Sequence, residues 1–208
     1  MRDENLKRFA KFLAISFFFS AIFVLLFYFI CNDKISYYAS LINTTAIKKS
    51  DKEKDVIYNQ DAKRLISYPA YGKKYAKLKI DKINLDLPIY YGDSMEILRY
   101  GVGHYAGSYF PGEGGSIILP AHNTEGFFSR LPELEKNDLI IIEANYGTFK
   151  YKVDSHKVVK ETDLKAFPIQ EEKEMLIMYT CYPINRSVIG RKTERYVVYA
   201  YRVEDENE

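Results

Sequence analysis

The sequence has no tryptophan and only two cysteines, Cys31 and Cys181, among 208 residues. Two cysteines exclude a disulfide framework as the source of stability. An excess of charge of one sign is also missing. Thirty Lys and Arg face 28 Asp and Glu, a formal net charge of +2, so no electrostatic pull toward nucleic acid is expected and none is assigned as a partner. Internal repeats and low-complexity tracts are absent. The carboxylates do not gather into a ligand set: Glu113 stands alone in the turn PGEGG, and Glu133, Glu135 and Asp138 read as a solvated loop, so no metal and no cofactor are expected.

What is abundant is aromatic, at 15% with 19 tyrosines, a composition that suits strands better than helix bundles. One long apolar run stands out, FLAISFFFSAIFVLLFYFICN at residues 12–32, without a charged side chain. About 20 helical residues at ~1.5 Å each span a ~30 Å hydrocarbon core with every backbone amide satisfied inside the helix. Arg2, Lys7, Arg8 and Lys11 precede it against Asp3 and Glu4. Basic flanks stay inside, so residues 1–11 read as a cytoplasmic tail, 12–32 as a single-pass anchor in membrane lipid, and the rest as extracellular. The alternative is a cleaved signal peptide, but the run is long for one and ends in Phe27-Tyr28-Phe29-Ile30, without a small-residue cleavage site. Cys31, at the outer edge of the span, reads as an ordinary apolar residue. Residues 33–74 are polar, with a charge cluster at 50–55, and read as a stalk. Val56-Ile57 and Leu65-Ile66 mark either a helix packing onto the domain or part of a disordered spacer.

From residue 75 to 208 the chain reads as one compact domain of short strands separated by turn signals. These are AKLKIDKI (76–83), LDLPIYYG (85–92), SIILPAH (116–122), EMLIMYTC (174–181) and ERYVVYAYRV (194–203), with DLIIIEANYG (138–147) and TFKYKVDSHKVV (148–159) as a hairpin turning at 145–147. Helical character is confined to 93–100 and 127–134. Many short strands and few helices predict an all-β sandwich or barrel.

Cys181 ends an apolar strand just before Tyr182-Pro183, where the chain leaves the sheet. It reads either as a buried small apolar side chain or as a nucleophile displayed at a strand end. A thiol nucleophile needs a proton-transfer partner. His156 lies in an alternating strand and reads as solvent-facing, and His104, in GVGHYAGS, as bracing a bend. His122 ends SIILPAH as Cys181 ends its own run, and adjacent strands would bring the two to one rim. If 174–181 and 194–203 pair antiparallel across the connection 182–193, Arg195 falls beside Cys181 and could stabilise an oxyanion. Arg186, Arg191 and Lys192 look like surface loop charges, and so would Arg195 by itself.

These residues carry a resemblance to the sortases, membrane-anchored cysteine transpeptidases of Gram-positive bacteria. It covers residues 76–203 and the anchor, and rests on LKIDKINLDLPIYYG, GVGHYAGSYFPGEGGSIILPAHN, LIMYTCYP and ERYVV. The family's Thr-x-Thr-Cys signature stands here as Met178-Tyr179-Thr180-Cys181, with Met at the first position; Thr-Cys and the downstream Arg-x-Val-Val are intact. GHYAGS and TCYP are most similar to class D. The resemblance implies a closed eight-stranded sortase-type β-barrel with short helices, and His122, Cys181 and Arg195 as catalytic residues. It implies cleavage of an LPxTG-like sorting signal between Thr and Gly, then transfer to a cell-wall amine. A pilin-polymerising class C enzyme usually has an Asp-Pro-aromatic lid and often a second membrane helix. This chain has Ser67-Tyr68-Pro69 and the polar end EDENE, which weighs against class C. A tethered cysteine peptidase without transfer would use the same three residues, and a non-catalytic wall-binding module would need none of them. Ala121 and Thr180, preceding His122 and Cys181, are candidate substrate-binding residues. Leu164, Phe167 and Ile169, in ETDLKAFPIQEEKE, either wall the substrate groove or cap the barrel.

Overall fold

The computed structural model describes residues 2–47, 56–184 and 192–203, with side chains for residue 4 and residues 7–28, 56–184 and 192–203. The charge cluster at 50–55, the Cys31 side chain, Arg186, Arg191 and the terminal EDENE therefore lie outside the described parts. The chain divides into two units, Met1–Ala39 and Ser40–Glu208.

The first unit is helix. Helix α1 runs over Arg2–Ile47, further than the apolar run alone indicates. Its stretch Lys7–Tyr28 is long and apolar enough to cross a membrane, and none of it is buried against protein. Phe12, Phe17, Phe18, Phe23 and Val24 are all exposed. A helix apolar all round and unburied has no stable place in water, which accords with a membrane anchor.

The second unit is a nearly closed eight-stranded β-barrel, in the order β5-β4-β3-β7-β8-β10-β9-β6. The strands are β3 (Lys74–Ile80), β4 (Leu85–Tyr91), β5 (Val102–His104), β6 (Ser116–Pro120), β7 (Leu139–Ala144), β8 (Gly147–Lys160), β9 (Met175–Tyr182) and β10 (Glu194–Val203). Backbone bonds from Tyr105 N to Ile118 O (2.9 Å) and from Tyr109 N to Ser116 O (2.9 Å) join the chain after β5 to β6 and bring the two edges together. The β7–β8 hairpin turns where the sequence places it, with Ala144 opposite Gly147. Pro88 is tolerated because β5 pairs with β4 only from Ile89 onward, so the missing N–H falls on a free edge. The stretches 93–100 and 127–134 contain only the 3-10 turns Ile97–Arg99 and Phe128–Glu133.

Strand parity builds two apolar clusters. Leu176, Met178, Val198 and Ala200 point into the barrel with Leu78, Ile117, Leu119 and Ile142. Ile177, Val197, Ile118 and Val159 point outward, where Ala166 and the half-buried Phe167, Tyr179 and Tyr199 cover them. A sheet covered on both faces needs apolar side chains at successive positions, which is why MLIMYT and YVVYAY do not alternate. The cover is the β8–β9 connection, pinned by a hydrogen bond from the Tyr199 hydroxyl to Ala166 O at 2.8 Å.

Residues 56–67 are neither helix nor spacer. They form a hairpin, β1 (Ile57–Asn59) with β2 (Arg64–Ser67), that buries Val56 and Leu65 in the barrel core. Asn59 Oδ1 accepts from Ala62 N, and Lys63 takes a positive φ of 46°, a local turn that competes with helix. Glu113 is not alone either: its carboxylate accepts from Leu65 N, the Tyr68 hydroxyl and Phe110 N. The loop carrying it is seated on buried Glu174, which accepts from Gly112 N and Gly114 N, from the Tyr151 hydroxyl at 2.7 Å, and from Arg202 Nη1 at 3.0 Å. Gly112 has a φ of +93°, and a Cβ there would meet the Phe149 ring at 2.8 Å, so the position admits only glycine without rearrangement.

Candidate active site

The three sequence candidates stand on adjacent strands. In the antiparallel β9–β10 ladder Cys181 is the direct partner of Arg195. In the parallel β6–β9 ladder Ile118 pairs with Ile177 and Pro120 with Tyr179. Continuing that register by two residues sets His122 alongside Cys181. Neighbouring strands lie about 4.8 Å apart, so Cys181 is central, with His122 on one side and Arg195 on the other. Parity gives them a common face. Ile118 and Ile177 are outward, so His122 and Cys181 are outward too, and Arg195 shares the face of its paired cysteine. Cys181 is a half-buried free thiol.

Ala121 and Thr180 have the opposite parity. They are buried, and the Thr180 hydroxyl donates to Ala121 O at 2.8 Å. Ala121 N donates to Tyr179 O, so both backbone groups of Ala121 are engaged with β9. The side chains of these two candidate substrate-binding residues do not line the outer face; they lock β6 to β9 beneath the outward pair. Asn123, which the sequence reading passed over, adds a tie above: its Nδ2 donates to Cys181 O at 3.1 Å and to Pro183 O at 3.3 Å. An amide next to the rim histidine was its only sequence signal. The Phe127 ring meets the His122 imidazole edge-on at 6.0 Å, and Phe128 N donates to His122 O.

Burial lowers the pKa of His122, and the nearby positive charge of Arg99 lowers it further. Its imidazole is therefore neutral at neutral pH and able to take a proton. Arg195 is held at both ends of its fork: Nη1 donates to Lys192 O at 2.9 Å and Glu194 O at 2.8 Å, and Nη2 to Glu161 Oε2 at 2.7 Å. Glu161, the last member of this cluster, was not foreseen.

Beside these groups lies a groove of about 590 Å³ lined by Tyr105, Ile118, Leu164, Phe167, Ile169 and Tyr179, together with Glu161 and Arg195. Leu164 is 81% exposed and Ile169 53%, so both present apolar surface to the groove. Burial pushes the Tyr179 phenol up to about 12, so it stays a neutral donor on the groove wall. Leu164, Phe167 and Ile169 thus line one groove, whereas His156 is exposed and stacked on Tyr196, and His104 is buried in β5.

A thiol, an imidazole and a tethered guanidinium lie along one rim of a barrel next to an apolar groove, functional groups that acyl-transfer chemistry can use. A sortase-domain family model matches residues 78–203, more than half of the chain, and the protein belongs to the sortase family. Membership implies a transpeptidase. Sortase D of Bacillus subtilis (strain 168) is 42% identical over 135 residues, 65% of this chain and 67% of that one. Two solved structures of Clostridium perfringens sortase C are similar, both 32% identical and covering 64% of this chain and 72% of theirs. One, from strain SM101, superposes with a TM-score of 0.56, and the other, with the C-terminal cell wall sorting motif, with 0.57.

Proposed function

We propose that this protein is a membrane-anchored cysteine transpeptidase that cleaves an LPxTG-like sorting signal between Thr and Gly and joins the upstream protein to a cell-wall amine. The observation that carries this reading is the shared outward face of His122, Cys181 and Arg195 on three neighbouring strands beside the Leu164–Phe167–Ile169 groove. The solved relative bearing a C-terminal cell wall sorting motif supports the substrate class.

The Cys181 sulfur attacks the Thr carbonyl as its proton passes to the neutral His122 imidazole. Arg195 faces the developing oxyanion. The imidazolium then protonates the departing Gly amine, the C–N bond breaks, and a thioester remains on Cys181. A second amine, from peptidoglycan precursor, attacks that thioester with His122 as base and restores the thiol. The groove holds the acyl half, which must stay bound through both steps. The helix over 7–28 tethers the enzyme with its N-terminus cytoplasmic and its barrel outside, where membrane-bound substrates meet it at raised effective concentration.

The test is incubation of the full-length protein with an LPxTG peptide and either oligoglycine or diaminopimelate, with mass spectrometry of the enzyme and products. A thioacyl adduct on Cys181, absent in Cys181→Ala, and an amine-linked product are expected. Adduct or turnover surviving in Cys181→Ala refutes the thiol mechanism. Products indifferent to added amine point to a peptidase instead.

A further inference from the structure

The outward row at the rim has a fourth member. Arg195 pairs with Val159 on its β8 side, and Glu161 lies two residues beyond, with the same outward parity. Its backbone is fixed, since Glu161 N donates to Thr193 O at 2.8 Å. Its carboxylate takes the Arg195 Nη2 bond at 2.7 Å, and the side chains are only 19% and 17% exposed. Across β8, β10, β9 and β6 the rim therefore reads Glu161, Arg195, Cys181, His122. Arg195 stands between a carboxylate on one side and the thiol on the other.

We propose that Glu161 is a positioning residue for acyl transfer: it fixes the Arg195 guanidinium in the orientation that receives the oxyanion formed when Cys181 attacks. This rests on the transpeptidase reading of Arg195. A free arginine side chain carries rotamer entropy, which an unassisted guanidinium would lose at the transition state. Here the loss is met on folding. Glu161 holds Nη2, and the carbonyls of Lys192 and Glu194 hold Nη1. Preorganised donors stabilise a transition state because they do not reorganise during the reaction. The ion pair also lines the groove, so a peptide lying over Phe167 and Tyr179 meets a guanidinium already tethered.

The experiment uses the full-length protein in detergent, as wild type, Glu161→Ala, Glu161→Gln, Arg195→Ala and the Glu161→Ala/Arg195→Ala double variant. Glu161→Ala is expected to lower kcat for thioacyl formation about 10- to 100-fold, the size of one charge-assisted hydrogen bond, with little change in KM. Glu161→Gln keeps an acceptor and should recover part of the loss. In the Arg195→Ala background, Glu161→Ala should cost nothing more. Unchanged kcat in Glu161→Ala, a raised kcat, or a full additional loss in the double variant each overturns the proposal. A readout free of substrate separates this from failure of the transpeptidase reading. By ¹⁵N NMR the Arg195 guanidinium should show restricted rotation in wild type and fast averaging in Glu161→Ala. Fast averaging in both overturns the positioning role even if no peptide is ever turned over.

Discussion

Acid should destabilise this barrel most strongly through a buried histidine that stands outside the candidate trio. His104 is fully buried between the rings of Tyr75, Tyr91 and Phe110, with Nδ1 2.7 Å from the Tyr75 hydroxyl. Burial lowers its pKa from the ordinary 6.5 to about 4, against a smaller upward pull from the backbone of Ser108 and Tyr109. Between those two values the unfolded chain binds a proton that the folded barrel refuses, so stability falls as the pH drops below 6.5 and levels off near 4. At ~1.4 kcal/mol per pH step, going from pH 7 to pH 5 removes about 2 kcal/mol, and the whole window about 3 kcal/mol. Urea unfolding followed by tyrosine fluorescence, the natural probe in a chain without tryptophan, measures this at pH 7 and pH 5. His104→Gln keeps an acceptor for Tyr75 and does not titrate. Its loss of stability between the two pH values should be about 2 kcal/mol smaller than that of wild type. Equal losses would refute the claim that His104 is held neutral by burial.

Arg195→Lys keeps the charge but loses the planar fork that joins Glu161, Lys192 O and Glu194 O, and kcat/KM should fall about 100-fold in a peptide-cleavage assay. Arg99→Ala removes a cation that lowers the His122 pKa, so the acid limb of the kcat/KM profile should move to higher pH; a shift to lower pH or none contradicts the assignment. Glu174→Ala strips acceptors from Arg202, Tyr151 and the amides of Gly112 and Gly114. It should cost about 3 kcal/mol in urea unfolding and hasten tryptic cleavage at Lys63 and Arg64, because the loop that holds the 57–67 hairpin through Glu113 loses its seat.

The strands and the candidate trio were legible because each rests on a local signal, whereas the choice of barrel over sandwich came from the resemblance to the sortases. Apolar runs end abruptly on His122 and Cys181, and Arg195 opens the strand that the 182–193 connection returns. The inward orientation of the Thr180 and Ala121 side chains was legible from the period of two: one residue before an outward cysteine or histidine faces the interior. The 57–67 hairpin was hidden because its strands are three and four residues long and lie in charged sequence. What holds them is Glu113, 48 residues away from Leu65. Glu161 and Asn123 were invisible for a similar reason, since a carboxylate or amide acquires a role only through the partner that folding brings to it.

By itself the sequence determined the apolar span and the barrel's strands, and it offered a thiol, an imidazole and a guanidinium as candidates for acyl transfer. These follow from hydropathy, from parity and from the side chains' own reactivity, all written within a few residues. Only the tertiary structure decided that His122, Cys181, Arg195 and Glu161 share one face of four neighbouring strands, that His104 is buried and neutral, and that the segment before the barrel docks as a hairpin. Each of those depends on hydrogen bonds and burial between residues distant along the chain, and no local pattern encodes them.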